Sequence, residues 1–336
     1  MRSLLSSLIF APPVCILHTP IALASILKPG RLKKGDLIGI VTPASPVADA
    51  SRIDKGVQYL ERVGYRVTVG AHVGRVHGYL AGTDEERLAD LHAMFTDRRV
   101  KAIIAVRGGY GTPRLLSRLN YRLISQNPKI LVGFSDMTAL QLAIWRKCRL
   151  ITFHGPMAGV EMANTIDPFT EDLFWRAITS SKKLGPISFP PESKPECLSP
   201  GQATGRLLGG NLSLVVSLLG TRYFPDATGS VLFLEEIGEE PYRIDRMMTQ
   251  LRNAGVISQC SAILTGQFTD CVPKDQTKPS QTVDELLRET ARLAARPFIS
   301  NLTFGHGPQK MTLPIGLRVR VDAGTRSITY LEAAVH

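Results

Sequence analysis

From Gly35 onward, short apolar runs alternate with amphipathic stretches, and the spacing of the apolar positions tells them apart. Leu37 to Val41, Val100 to Val106, Lys129 to Val132 and Leu150 to Phe153 are strand candidates of nearly continuous apolar character, and Tyr65 to Val69 is β-like. Asp49 to Val63, Asp84 to Thr96 and the segment from Met137 place apolar residues at helical spacing, and another helix is expected after Gly111. Such alternation predicts a parallel sheet with helices on both faces, because parallel strands need long crossovers and strands buried on both sides read as continuous apolar runs. This doubly wound α/β domain is expected over residues 27–160, and ligands of such sheets bind beyond the carboxyl ends of the strands.

Asp172 to Ser180 is again helical, and residues 184–203 then become rich in Pro, Ser, Gly and Glu. Residues 161–204 are therefore read as a linker with one helix. From 205 to 332 the pattern is mixed α+β: a Gly-rich turn, a helix over Leu212 to Leu219, strands over Ser230 to Leu234, Ala262 to Gly266 and Leu317 to Val321, and a helix after Pro241. No internal repeat of fixed period is present.

Composition changes this picture little. A chain of 336 residues with 44% hydrophobic content can bury a large core across two domains. Its net charge of +11 is scattered without basic-aromatic motifs, which argues for a solvated basic surface and against nucleic acid. Five cysteines without CxxC spacing suggest neither a zinc site nor a disulfide framework. Nothing from Ser3 to Leu27 is charged, Arg2 precedes it, and Ala22-Leu23-Ala24 resembles a cleavage site. Residues 1–26 thus read either as an export signal or as an inert extension; Pro12, Pro13 and Pro20 argue against a stable membrane span.

Several short stretches carry chemistry. In Gly133-Phe-Ser135-Asp136 a hydroxyl stands where a strand turns into a helix, the position of a nucleophile elbow, although Met137 replaces the last Gly of G-x-S-x-G. A helix cap is the competing explanation. Arg107-Gly108-Gly109-Tyr110-Gly111 follows a strand, so its N–H groups can face a phosphate or a developing oxyanion. A serine nucleophile needs a base and an orienting carboxylate. His154, after a strand, and His306, between two glycines, are the candidate bases. Glu235-Glu236 ends the run Val231 to Leu234, and strand alternation sends the two carboxylates to opposite faces, one toward a cleft and one toward solvent. Arg107, Arg243 and Arg246 are candidates for binding substrate carboxylates, or for structural ion pairs.

In order, Val41-Thr-Pro-Ala-Ser45, the Arg107 loop, Gly133-Phe-Ser-Asp136, His154-Gly-Pro-Met157, Gly209-Gly-Asn211, Leu234-Glu-Glu236 with Pro241 to Arg246, and Gly305-His-Gly307 resemble the LD-carboxypeptidase family of serine peptidases, which includes muramoyl-tetrapeptide carboxypeptidases and microcin-immunity peptidases. The resemblance covers roughly residues 28 to 325. It implies an α/β nucleophile domain followed by a β-rich second domain, commonly a homodimer, and a metal-free and cofactor-free hydrolysis of the L,D-amide to the terminal D-Ala of a muropeptide. Ser135 matches the nucleophile, Glu235 the carboxylate and His306 the base, with Asp136 and Gly108 or Gly109 lending oxyanion N–H groups. Arg107, Tyr110, His154, Asn211 and Arg246 are the expected substrate contacts. Two other substrates remain open: peptidyl-nucleotide conjugates, or a nucleotide or sugar phosphate held by a non-catalytic binding protein. The family's usual compartment is cytoplasmic; a cleaved segment 1–24 would instead place the protein in the envelope.

Overall fold

The computed structural model describes residues 25–336, so the signal-like segment ending at Ala24 lies outside the described residues. The first half forms β1 (Leu37–Val41), α1 (Ser51–Arg62), β2 (Arg66–Val69), α2 (Asp84–Thr96), β3 (Val100–Ala105), α3 (Tyr121–Gln126), β4 (Ile130–Gly133), α4 (Met137–Cys148), β5 (Thr152–His154) and α5 (Pro168–Thr179). The second half forms β6 (Gly185–Pro186), β7 (Glu196–Ser199), β8 (Gln202–Asn211), α6 (Leu212–Ser217), β9 (Val231–Ile237), α7 (Pro241–Asn253), α8 (Val256–Gln259), β10 (Ala262–Thr269), α9 (Val283–Ala294), β11 (Phe298–Ser300), β12 (Leu313–Ile315), β13 (Arg318–Asp322) and β14 (Ser327–Tyr330).

Six strands in the order β12-β5-β4-β3-β1-β2 make the first sheet, parallel throughout except for β12, which runs antiparallel to β5. Eight strands in the order β6-β14-β13-β8-β9-β10-β11-β7 make the second, parallel from β8 to β11 and antiparallel at its flanks. Helix α4 lies between the sheets. Every residue from Met137 to Trp145 is buried, since β4, β5 and β12 pack on one side and β8 on the other. Such a helix has no solvent face, and its polar residues are bonded inside: Thr138 Oγ1 accepts the Asn211 N–H, and the Gln141 amide donates to backbone carbonyls. Among the described residues no helix is long and apolar enough to cross a membrane.

Pairing, rather than chain order, sets the division into halves. The expected linker 161–204 carries β6 and β7, which hydrogen-bond to β14 and β11 in the second sheet. The second half returns β12 to the first sheet, where Leu313 pairs with His154. The expected Gly-rich turn after Gly205 is the inner part of β8. The strand continues through Gly209 and Gly210 at φ of 144° and 139°, and glycine stands at both because the backbone of Phe233 and the side chain of Thr138 come too close for any Cβ there. The helix expected after Gly111 is a single 3₁₀ turn over Thr112–Leu115, with α3 following only at Tyr121.

Candidate active site

Ser135 connects β4 to α4 with a φ of 64°, a left-handed conformation that costs an L-residue about 1–2 kcal/mol. Its neighbours hold it there. Asp136 is fully buried; its Oδ2 accepts the Thr112 N–H at 2.8 Å, and its carbonyl accepts the Thr112 hydroxyl at 2.5 Å. The Gln141 amide donates to the carbonyls of Gly133 (3.0 Å) and Phe153 (2.8 Å), fixing the chain just before the turn. Met137, in place of the last Gly of the elbow pattern, folds back onto Gly133, where a Cβ would lie 2.7 Å from its Cγ. Gly133 thus supplies the room that the missing glycine would have given.

The Gly108-Gly109 loop leans on this elbow. A Cβ at Gly108 would lie 2.8 Å from Ser135 Cβ and 3.2 Å from the Asp136 nitrogen, so only glycine allows the approach. Ser45, of the Thr-Pro-Ala-Ser segment, braces the loop: its N–H donates to the Gly108 carbonyl (3.3 Å) and its Oγ accepts the Tyr110 N–H (3.0 Å). Among the described residues, the N–H groups of Gly108, Gly109 and Asp136 have no protein acceptor, and Gly108 and Gly109 line the same cleft as Ser135. Burial pushes the Asp136 carboxyl up to about 6 against the pull of its Thr112 bonds, and its Oδ1 has no partner.

From the second sheet, β9 delivers Glu235, and the loop after β11 delivers His306. The imidazole Nδ1 lies 2.7 Å from Glu235 Oε2, and the carboxylate is wholly buried. Gly305, at φ 105°, allows this contact, because a Cβ there would lie 2.9 Å from Glu235 Cβ. Burial raises the Glu235 pKa, while the hydrogen bond and charge of His306 favour its ionised form. With Nδ1 engaged, Nε2 is the imidazole nitrogen left to act as a base. The edge of Phe134 holds the ring at a centroid distance of 5.0 Å. His306 and Ser135 line one cleft of about 340 Å³ together with Arg52, Arg107, Gly108 and Gly109. Ser135 Oγ makes no hydrogen bond among the described residues; nucleophile–base contacts commonly tighten only around substrate.

Several expected contacts stand elsewhere. Glu236 is not solvated: it is buried and binds the Asn211 amide (2.7 Å), the Ser213 N–H (2.8 Å) and the Ser213 hydroxyl (2.6 Å). Asn211 is thereby committed as well, since its Oδ1 also caps α6 through the Leu214 N–H at 3.3 Å. His154 is buried behind the cleft among Phe134, Phe233 and Phe304, outside its lining. Burial pushes its pKa down to about 3. Tyr110 is exposed against Tyr79, and Arg243 and Arg246 lie exposed on α7 over Tyr242, none of them lining the cleft. Arg107 does line it, with one guanidinium nitrogen 3.3 Å from the Pro46 carbonyl.

Two residues escaped the sequence reading. Arg52, on α1, enters the cleft and donates to the carbonyls of Gly159 (2.7 Å) and Val160 (3.2 Å). Among the described residues neither Arg52 nor Arg107 has a carboxylate within ion-pair range. Lys310 is buried with Glu161 at 3.0 Å, donates to the Gly307 carbonyl and sits over Phe134, so it ties down the loop that carries His306. An arginine on an amphipathic helix and a lysine in a loop both read as solvent-facing, so no periodic signal marked them.

Residues 38–155 match the model of the LD-carboxypeptidase N-terminal domain, and residues 204–321 that of the LD-carboxypeptidase C-terminal domain. A probable murein peptide carboxypeptidase of Bacillus subtilis is 39% identical over 314 residues, covering 92% of this chain and 95% of that one. A murein tetrapeptide carboxypeptidase of Pseudomonas aeruginosa is 32% identical, covering 83% and 91%. In solved structures, the wild-type microcin C7 self-immunity protein MccF superposes with a TM-score of 0.85 at 25% identity, covering 92% of this chain and 100% of that one. Matches in both halves, in order and over nearly the whole length, show the lineage: the chain belongs to the LD-carboxypeptidase family of serine carboxypeptidases.

Proposed function

We propose that this protein is a murein-peptide carboxypeptidase that removes the terminal D-Ala of tetrapeptides by hydrolysing its L,D-amide, with Ser135, Glu235 and His306 as the catalytic triad. The observation that carries this reading is the left-handed Ser135 in the same cleft as an imidazole whose Nδ1 is held by a buried carboxylate. Ser135 Oγ attacks the scissile carbonyl while His306 Nε2 takes its proton. The oxyanion that forms is held by the N–H groups of Asp136 and of Gly108 or Gly109, a kind of contact worth about 3–4 kcal/mol per donor. His306 returns the proton to the leaving amine of D-Ala, and water then cleaves the acyl-enzyme by the same route. Glu235 keeps Nδ1 protonated and balances the imidazolium charge. Arg52 and Arg107 offer two guanidinium groups to the carboxylate that marks the end of the chain, which favours exopeptidase over endopeptidase action.

The test is purified enzyme on matched tetrapeptides with L,D and D,D terminal amides, read by mass spectrometry. Release of D-Ala from the L,D substrate alone supports the reading; no release, or equal cleavage of both, sinks it. A second substrate class, peptidyl-nucleotide conjugates, is favoured by the likeness to MccF, a microcin self-immunity protein. A sulfamoyl-linked aminoacyl nucleoside included in the same assay separates the two. The homodimer is part of the same proposal, and sedimentation velocity at micromolar concentration checks it.

A further inference from the structure

At the far end of α4 from Ser135, on the order of 18 Å along a twelve-residue helix, a second recess opens between the two halves of the chain. Its volume is about 680 Å³, twice that of the catalytic cleft. Arg146, Lys147 and Arg149 reach it from the end of α4, Arg206 from β8 and Arg318 next to it from β13, while among the described residues Asp226 is the one acid in its lining. Cations in the last turn of a helix ordinarily complement its free carbonyls, which accounts for Arg146 and Lys147. It does not account for the strands. Arg206 and Arg318 are direct register partners across the antiparallel β8–β13 pair, the arrangement in which like charges destabilise a sheet.

One carboxylate answers that pair from outside the recess: Glu332 binds Arg206 at 3.0 Å and the Arg318 backbone N–H at 3.0 Å, and it also holds Lys28 at 2.8 Å. Among the described residues, the side chains of Arg146, Lys147, Arg149 and Arg318 have no carboxylate within ion-pair range. Arg149 adopts a left-handed φ of 55° and stacks on the Trp145 ring at 4.4 Å, and both residues line the recess. Burial, and after it the charges of Arg206 and Arg146, pushes its pKa down, as expected of a cation crowded by its own kind. Asp226 feels Arg146 and Arg149, yet its hydrogen bonds go to Thr228.

We propose that this recess is a binding site for a di- or oligophosphate, free or carried on an organic group, whose oxygens engage Arg146, Arg149 and Arg318. Guanidinium groups pair with phosphate through two parallel hydrogen bonds, and three of them brought to one recess from the end of α4 and from β13 match a compact anion of high charge better than a single carboxylate. Because α4 supplies one wall and β8 with β13 the other, the ligand grips both halves of the chain at once. The same packing brings His306 to Ser135, so occupancy stabilises the arrangement on which the cleft depends without entering the cleft.

Isothermal titration of the full chain with pyrophosphate, against sulfate at matched ionic strength, tests this. The expected result is saturable one-site binding, weakened at least tenfold by Arg318→Ala and by Arg149→Gln, and unchanged by Ser135→Ala. Arg318→Ala should keep the wild-type kcat/KM on a tetrapeptide, because this exposed residue lies outside the cleft. A nucleoside diphosphate that binds several-fold tighter than pyrophosphate assigns the site to a carried phosphate; equal affinity assigns it to the free anion. Heats no larger than those of sulfate, or an Arg318→Ala protein that binds pyrophosphate as the wild type does, overturn the proposal. So does a dimer that Arg318→Ala dissociates without any anion binding, since a second copy would then fill the recess.

Discussion

The two sheets contribute to one cleft by different physical routes. On the first, Ser135 and its surroundings are built from local chain geometry: β4 ends, one residue takes a left-handed φ, α4 begins, and the neighbouring loop supplies glycines that tolerate contact. On the second, Glu235 and His306 stand 71 residues apart and meet only because β9 and the loop after β11 fold to the same edge. In the first the candidate nucleophile itself holds the left-handed backbone, whereas in the second the candidate base is held through a wholly buried carboxylate. Damage to the first should therefore remove chemistry while sparing the fold, whereas damage to the second should reach both.

The largest effects test the triad directly. Ser135→Ala and His306→Ala should each lower kcat by about a million-fold, the scale seen when either member of a serine triad is removed. Ser135→Ala should unfold within about 1 kcal/mol of the wild type, because its hydroxyl makes no hydrogen bond among the described residues. Near-normal turnover by either variant ends the serine-peptidase mechanism. Glu235→Gln should cost about 10⁴ in kcat, since an amide can hold the imidazole in the wrong tautomer. It should also shift the melting temperature, which Ser135→Ala should not. Chelation with EDTA should leave wild-type activity intact, because no step of the proposed mechanism uses a metal.

Arg52→Gln comes next. Removing one guanidinium–carboxylate contact is worth about 1.5–3 kcal/mol, so KM for a free-acid tetrapeptide should rise roughly ten- to a hundredfold. The corresponding C-terminal amide should be turned over equally by variant and wild type. Equal KM values on the free acid would leave Arg52 as a structural brace of the Gly159 and Val160 carbonyls. Glu236→Gln moves the comparison back to stability. It disturbs a buried cap on α6 and should cost about 1–3 kcal/mol in denaturant unfolding with little change in kcat. Loss of catalysis in place of stability would mean that the facing of β9 is reversed.

This contrast also sets what could be read along the chain. The inner strands of the first sheet are largely buried, so β1, β3, β4 and β5 show as apolar runs, and Gly133-Phe-Ser-Asp136 is legible as an elbow because its parts are adjacent. Much of the second sheet is hidden. Strands β7, β11 and β12 are three or four residues long, and β8 keeps its inner end extended through two glycines that suggest a turn. The amphipathic α9 follows a long polar stretch that masks where it begins. Alternation does place Glu235 and Glu236 on opposite faces, but it cannot tell that the second face meets Asn211 and Ser213 rather than water. Pairing His306 with Glu235 required the family resemblance, since no local pattern spans 71 residues.

The smallest expected effect separates two buried groups that flank the elbow and titrate against each other. Asp136 is raised from an ordinary 3.8 to about 6, so between those values the folded protein keeps a proton that the unfolded chain has released, and stability falls as pH rises through that window. His154 is lowered from 6.5 to about 3, so the unfolded chain takes up a proton first, and stability falls as pH drops below 6.5. Between pH 4 and 6 the two contributions oppose one another, and the wild-type melting curve conceals both. Asp136→Asn keeps an acceptor for the Thr112 N–H and can place its amide nitrogen at the unpartnered Oδ1 position, so its melting temperature relative to wild type should climb from pH 4 to 6 and then level off. His154→Leu gives up a ring whose Nδ1 has no partner, and its relative melting temperature should climb in the other direction, from pH 6.5 down to 4. Difference curves of the same slope for both variants would show that one of these two groups does not titrate as its burial requires.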